Sequence, residues 1–131
     1  MSQQQTIYEV IGGGEKIKEI VDIFYHHMDT LPEVSDIRLQ HEPDLSSANE
    51  KLRLFLTGWL GGPQLYVEKY GHPRLRARHL PFRIGVKERD QWMLCMRKAL
   101  KDAQVDENVY LVLEHSLFKL ADHMRNQTED T

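Results

Sequence analysis

The sequence predicts an all-α fold in which four long amphipathic helices share one domain of 131 residues. Three observations support this prediction. Apolar residues recur at intervals of three and four, which is the period of a helix, and no stretch alternates apolar and polar residues as a half-buried strand does. Glycine and proline interrupt the apolar stripes where helices are expected to stop. Four such stripes in so short a chain must be buried against one another.

Each long helix is defined by its apolar stripe. The first helix is expected between Gly12-Gly13-Gly14 and Pro32, with the stripe Ile17, Ile20, Val21, Phe24 and Met28. The second is expected from Asp44 or Ser46 to Gly61-Gly62-Pro63, with the stripe Leu45, Leu52, Phe55, Leu56, Trp59 and Leu60. The third starts at about Val86, with Trp92, Met96, Ala99, Leu100 and Ala103, and the fourth at about Asp106, with Val109, Leu113, Leu117, Leu120 and Met124. Residues 35–43 are expected to be irregular, residues 64–71 to hold a short helical piece, and residues 74–80 to hold one or two turns. The polar ends, residues 1–5 and 126–131, are expected to fray.

Composition and termini limit the class of protein. The net charge of −3 argues against non-specific binding to nucleic acid, which requires a basic face. The single cysteine, Cys95, cannot form an internal disulfide, which is typical of a reducing compartment. The first residues lack the features of a signal peptide, and no apolar run approaches the roughly 20 residues of a membrane span. We therefore expect a cytoplasmic protein with no membrane span.

Three side chains are candidates for chemistry. His79 lies between Pro73 and Pro81 and is either a metal ligand or a partly buried loop histidine. Tyr25 lies on the first stripe, where its hydroxyl either donates a hydrogen bond inside the protein or reaches water. Trp92 lies on the third stripe and is either an N–H donor to a ligand or a packing residue. The residues themselves leave these alternatives open.

A basic patch surrounds His79, and it either binds an anion or faces water. Its members are the arginines at positions 74, 76, 78 and 83. The remaining histidines, at positions 26, 27, 41, 72, 115 and 123, lack the spacing of zinc fingers or of the HExxH motif. The triple glycine lacks the GxGxxG form and is interpreted as a helix boundary.

Taken together, these residues resemble the truncated haemoglobins of group II, from about Tyr8 to about Met124. The resemblance lies in residues 59–63 (WLGGP), 70–82 (YGHPRLRARHLPF) and 88–92 (ERDQW). It implies a two-over-two helical sandwich, which is a shortened globin fold with haem b between two helix pairs. It also implies a protein that binds dioxygen and other small diatomic ligands at one iron.

The resemblance assigns a role to each candidate. His79 matches the proximal ligand of the iron, and Tyr25 and Trp92 match the distal residues that hydrogen-bond the bound ligand. Ala48 matches the position where classical globins carry a distal histidine. Because a methyl group cannot donate a hydrogen bond, that work must fall to the tyrosine and the tryptophan.

Other positions of the resemblance surround the expected haem. The family carries a tyrosine, histidine or phenylalanine at the bend before the distal helix, and this position is Gln40 without a gap or His41 with one. We prefer His41, because residues 41–45 (HEPDL) fit a His-x-x-Asp-Leu pattern. The apolar contacts are expected from Leu52, Phe55, Leu56 and Phe82. The haem propionates are expected to meet Lys51, Tyr66, Arg78 and Arg76.

Reversible oxygen binding is the function that the resemblance favours. An alternative on the same site is a haem redox enzyme, a nitric oxide dioxygenase or a peroxidase, supplied with electrons by a cellular reductase. A third hypothesis is a helical interaction module without haem, although such a module has no use for the glycine and proline pattern around His79.

Overall fold

The computed structural model describes residues 5–127 and contains no β-strand within that range. Its helices are α1 (Ile7–Ile11), α2 (Gly13–Thr30), α3 (Ser35–Leu39), α4 (Ser46–Trp59), α5 (Leu65–Tyr70), α6 (Leu75–His79), α7 (Val86–Asp102) and α8 (Glu107–His123), with a 3-10 turn at Pro32–Val34. The predicted all-α class is confirmed. None of these helices is both long and apolar enough to cross a bilayer. The fraying predicted for residues 1–4 and 128–131 lies outside the described residues.

The four long helices form two packed pairs. Helix α2 packs on α4, and α7 packs on α8, while α2 and α7 join the two pairs in the centre of the protein. Phe24 and Val21 of α2 and Met93 and Met96 of α7 are completely buried at this junction. Burying large apolar side chains stabilises the fold by about 1.5–3 kcal/mol each. The two central helices are therefore the most firmly held part of the chain.

Helix α4 differs from its predicted stripe. Leu54 and Thr57 are buried, and the Thr57 hydroxyl donates to the carbonyl of Arg53 at 2.8 Å. Leu52 and Phe55, which the resemblance assigns to the haem contacts, are half-buried and pack against the edge of the core. An apolar strip of α4 is left partly uncovered.

The stretch predicted to be irregular contains a helix. Val34 is completely buried and Ile37 is nearly so, and both the 3-10 turn and α3 pack on α7. Two apolar residues three positions apart are enough to fix one turn when a neighbouring helix covers them. Further along, Leu45 is the N-cap of α4 and no side chain caps the helix, so neither Asp44 nor Ser46 is the cap that the sequence predicted; the Asp44 carboxylate instead accepts from the backbone N–H of Ser46 at 2.9 Å in the turn before the helix.

The N-terminal helix α1 was missed by the sequence interpretation. Its signal is the spacing of Thr6 and Glu9: the Glu9 N–H donates to the Thr6 hydroxyl at 3.2 Å, and the Thr6 N–H donates to the Glu9 carboxylate at 3.0 Å. This is a capping box. The ring of Tyr8 lies against Gly62, where an added Cβ would be 2.6 Å from it. Glycine at that position thus allows α1 to sit on the turn after α4.

Asn126, the first residue of the end that was expected to fray, makes hydrogen bonds to a distant loop. The N–H of Asn126 donates to the carbonyl of Ile84 at 2.8 Å, and its side chain returns to the same segment. The prediction was wrong for this residue because polar composition alone does not show hydrogen bonds to a distant loop. Asn126 thus joins the chain after α8 to the connection between α6 and α7.

Candidate functional site

Two of the predicted site residues meet at the junction of α2 and α7. The ring of Phe24 lies 4.9 Å from that of Tyr25, edge to face, and 5.1 Å from that of Trp92. Because Phe24 is completely buried, both neighbours are held by a rigid part of the core. The structure therefore brings Tyr25 and Trp92 together around one fixed ring.

The hydroxyl of Tyr25 is an available donor. The side chain is 8% exposed, and burial raises the pKa of the phenol well above its usual value, so that it stays protonated. Its O–H donates to the carbonyl of Ala48 at 3.2 Å. This separation is long for a hydroxyl donor, which prefers about 2.7–2.8 Å. A better acceptor placed nearby could take the hydrogen bond from the carbonyl at low cost.

The bend before α4 brings His41 to Tyr25 and directs Gln40 elsewhere. The rings of His41 and Tyr25 lie 6.1 Å apart. His41 Nδ1 lies 2.8 Å from the carbonyl of Ile37, and since a carbonyl can only accept, Nδ1 carries the proton. Gln40 instead donates to the carbonyl of Arg83 at 2.9 Å. Of the two predicted alternatives, His41 is the one that lies beside the tyrosine.

His79 has the tautomer that metal binding requires. It is the last residue of α6 and is half-buried, and its Nδ1 lies 2.6 Å from the carbonyl of Leu75. By the same argument as for His41, Nδ1 carries the proton and Nε2 keeps a free lone pair. A ligating histidine commonly donates its other ring N–H to a backbone carbonyl, which fixes the ring orientation.

Apolar side chains that lack full cover lie on α4 and around α6. Leu52 and Phe55 are half-buried, while Trp59, Leu80 and Phe82 are 38%, 57% and 44% exposed. Exposed apolar area costs about 25 cal/mol per Å² relative to burial, so these side chains are candidates for a binding surface.

A pair of cations and a pair of tyrosines form one edge of this region. The rings of Tyr66 and Tyr70 lie 5.0 Å apart. Lys51 Nζ lies 5.7 Å from the centre of the Tyr70 ring, and the Arg78 guanidinium lies 5.9 Å from that of Tyr66. Tyr66 also meets Phe55 of the apolar group at 6.3 Å, edge to face. The structure thus brings Lys51, Tyr66 and Arg78 together, as the sequence predicted.

Tyr70 and Arg76 are the two positions at which this edge differs from the sequence prediction. Tyr70 was missed as part of the edge, although it lies within the motif that carries the resemblance; its hydroxyl donates to Glu50 at 2.8 Å. Arg76 lies apart from the edge, because its Nη1 donates to the carbonyls of His123 and Arg125 at 2.6 and 2.8 Å. Residues two apart on a helix point in different directions, which separates Arg76 from Arg78.

A model of the bacterial-like globin family matches residues 6–126. This chain belongs to the bacterial-like globins and, among them, to the group II truncated haemoglobins. It is 41% identical over 122 residues to the group 2 truncated haemoglobin YjbI of Bacillus subtilis, a match that covers 93% of this chain and 89% of that protein.

Solved structures support the same assignment. The group II two-on-two haemoglobin of Agrobacterium tumefaciens is 43% identical, with a TM-score of 0.92 over 96% of this chain and 98% of that one. The group II truncated haemoglobin of Bacillus anthracis is 38% identical, with a TM-score of 0.92 over 99% of this chain and 98% of that one. The predicted two-over-two sandwich is confirmed, and the chain is a haem-binding globin of a family that binds small diatomic ligands.

The residues present fit the haem that the globin family implies. His79 offers Nε2 of its imidazole, the half-buried Leu52 and Phe55 offer apolar surface for a flat macrocycle, and Lys51 and Arg78 offer charges for two carboxylates. Leu56 is 4% exposed in the core, so of the predicted apolar contacts it is the most deeply placed.

Proposed function

We propose that this truncated haemoglobin binds haem b through Nε2 of His79 and reversibly binds dioxygen on the opposite face. The observation that carries the proposal is the 2.6 Å contact between His79 Nδ1 and the carbonyl of Leu75, because it leaves Nε2 as the only ring nitrogen that can ligate a metal. When bound, the haem would supply the iron at which a diatomic ligand binds.

On the distal side, Tyr25 and Trp92 act as hydrogen-bond donors to the bound ligand. Tyr25 exchanges its long bond to the Ala48 carbonyl for one to the ligand, and this costs little because the present bond is long. Trp92 contributes an indole N–H, which can only donate. His41 lies against Tyr25 and limits its rotation. Both donors keep their protons at neutral pH, so ligand retention does not depend on the titration of the distal side.

At the exposed edge, Lys51, Tyr66 and Arg78 hold the haem propionates. Arg78 is preorganised, because its Nε donates to the carbonyl of Pro73 at 2.6 Å while the guanidinium lies over Tyr66. Arg76 is the predicted member whose Nη1 is engaged elsewhere, so we assign it no share in the propionate contacts. Leu52, Phe55 and Phe82 cover the faces of the macrocycle.

The experiment is a set of visible spectra of the purified protein, expressed with an adequate haem supply. We expect distinct ferrous, oxygenated and carbon monoxide forms, with oxygen removed by lowering its pressure and restored by raising it. A haem-free interaction module would show no absorbance in the haem region. A haem that is covalently attached to the chain would exclude haem b. Extraction into acidified organic solvent distinguishes the two, because it removes haem b and leaves a covalently attached haem on the protein.

The positively charged edge also favours a second candidate, a haem redox enzyme that receives electrons from a cellular reductase. Lys69 adds a further ammonium, 5.4 Å from the half-buried Tyr70 ring, so that three exposed cations lie on this edge, to which an acidic partner could dock. Rapid consumption of nitric oxide or peroxide with a reductase present, beyond that of free haem, would favour this function. A cytoplasmic location is part of both proposals and fits the buried free thiol of Cys95.

A further inference from the structure

The helix that carries His79 makes polar contacts with the C-terminal residues that the structure describes. Helix α6 is five residues long and has no buried residue. It begins after Arg74, which has a φ of +46°, and no side chain caps it. So short a helix is not stable by itself in water. Its position must be fixed by contacts with other parts of the chain.

Asn126 supplies such contacts directly at the candidate ligand. Its Nδ2 donates to the carbonyl of His79 at 3.3 Å and to that of Phe82 at 2.7 Å. Its Oδ1 accepts from the N–H of Ile84 at 3.0 Å. An amide is required here, because the site presents carbonyls on one side and an N–H on the other. The Asn126 side chain thus joins the C-terminal end of α6 to Phe82 and Ile84, which follow it in the chain.

Arg76 makes a second tie between α6 and the end of α8. Its Nη1 donates to the carbonyls of His123 and Arg125, which lie in and just after the last turn of α8. Carbonyls at a helix C-terminus lack partners within the helix, and a cation there is favourable. This contact explains why an arginine of the basic patch points away from the propionate edge.

The end of α8 is itself anchored to the rigid core. Arg89 of α7 bonds Asp122 at 2.8 Å and lies 4.7 Å from the centre of the Phe118 ring. The Arg89 guanidinium lowers the pKa of the Asp122 carboxyl, so that the pair is charged at neutral pH. A continuous set of contacts therefore runs from α7 through α8 to the helix that carries His79.

We propose that Asn126 is a positioning residue for His79, and that residues 123–127 together with Arg76 set where the imidazole stands relative to the haem iron. The inference rests on the proposed function, in which Nε2 of His79 ligates the iron. Loosening residues 123–127 lets α6 shift or rotate, which changes the strain on the bond between the iron and the imidazole.

The test compares Asn126→Asp with Asn108→Asp in the haem-loaded protein. Both variants make the same change of side chain and charge, but Asn108 is exposed in the first turn of α8, far along that helix from α6. Asn126→Asp replaces a donor by a carboxylate oxygen facing two carbonyls. We expect its iron–imidazole stretching band in the ferrous, ligand-free Raman spectrum to shift, and haem transfer to an apo-acceptor to quicken about five- to ten-fold. Asn108→Asp should match wild type in both.

Further variants separate positioning from general destabilisation. Arg76→Gln should shift the same band. Hydrogen exchange of the backbone amides of residues 78–80 and 82 should quicken in both Asn126→Asp and Arg76→Gln, while thermal unfolding shows that the fold is retained. Faster haem loss with an unmoved Raman band would mean that Asn126 only stabilises the fold, and the proposal would be wrong. A band that is present in wild type, lost in His79→Gly and unmoved in Asn126→Asp overturns this inference alone. A wild-type protein without an iron–imidazole band overturns the proposed function as well.

Discussion

The distal and proximal sides of the site are held in different ways. Tyr25 and Trp92 project from α2 and α7, long helices that meet in the core, and both touch the fully buried ring of Phe24. His79 projects from a five-residue helix without a buried residue, and hydrogen bonds from its own α6 and from the end of α8 hold it. The distal donors are fixed by packing, whereas the proximal ligand is fixed by polar contacts.

This difference has consequences for how each side responds to change. A tightly packed core gives large penalties for altered volume and small ones for solvent conditions. Hydrogen bonds in a half-exposed segment contribute about 1 kcal/mol each, and they can be lost one at a time. We therefore expect the distal side to behave as one unit and the proximal side to be adjustable.

The largest effect is expected at the proximal ligand. His79→Gly removes the imidazole and leaves room for a free one, so haem binding at this site should be lost and restored by added imidazole. His115→Gly is the matched control, since His115 is an exposed histidine in the middle of α8. Titration with imidazole, followed by the visible spectrum, measures the rescue. Haem retained by His79→Gly with an unchanged ferrous spectrum would contradict the assignment.

The next effect concerns the distal donors. Tyr25→Phe and Trp92→Phe each remove a donor while keeping an aromatic ring, so the packing around Phe24 is largely preserved. A hydrogen bond to a charged acceptor contributes about 1.5–3 kcal/mol, so each variant should speed oxygen dissociation about ten- to a hundred-fold. The double variant should fall short of the product, because both donors serve one ligand. Stopped-flow dissociation rates equal to wild type in both single variants would remove the donors from the mechanism.

A smaller effect is expected at the exposed edge. Lys51→Ala with Arg78→Ala removes both proposed propionate partners, and surface ion pairs of this kind are weak, so haem transfer to an apo-acceptor should quicken by about five-fold at most for each cation. The effect should shrink in high salt. Lys98→Ala is the control, since Lys98 is an exposed cation on α7 that lies outside the edge. An oxygen spectrum altered by the double variant would show that these residues act on the iron side instead.

Sequence periodicity predicted the packed side of this comparison well. Phe24, Met96, Leu100 and their neighbours were placed in the core because apolar residues three and four apart share a helix face, and burial of such a face depends on that local spacing. Tyr25 and Trp92 followed from the same stripes once the resemblance was noticed. On α4 the stripe predicted the burial of Leu56 and Leu60 but not that of Leu54 and Thr57, which lie outside it.

The hydrogen-bonded side could not be predicted in the same way. The bond from Asn126 to the carbonyl of His79 joins residues 47 positions apart, and its carbonyl partner is present at every residue of the chain. Nothing in the local sequence marks which carbonyl will be used. Arg76 likewise was grouped with its neighbour Arg78 by charge, although the helix turns the two apart. The Thr6 and Glu9 spacing of α1, by contrast, is a local pattern that the sequence contains and that predicts a helix start.

The packing of the distal side predicts that the oxygen dissociation rate does not change with pH. Burial raises the pKa of Tyr25 above that of the unfolded chain, so the donor keeps its proton and oxygen dissociation should be constant between about pH 6 and pH 9. For stability, a phenol whose folded pKa is raised contributes in full below the unfolded value of about 10, and loses that contribution as pH rises above it. Dissociation rates measured across this range test the first statement. A rate that rises steeply near pH 8 would mean that the donor titrates and that the pocket is wetter than its packing implies.

The smallest effect is expected at Cys95, which lies on α7 less than one turn from Trp92. The thiol is completely buried, and burial raises its pKa to about 11, so almost none of it is thiolate at neutral pH. Alkylation by iodoacetamide should therefore be negligible in the native protein and rapid after unfolding. Cys95→Ala should leave oxygen affinity unchanged and lower stability slightly, because a small hydrophobe replaces a slightly larger one. Rapid labelling of the native protein would show that α7 opens beside Trp92, and the contrast between a rigid distal side and an adjustable proximal one would then fail.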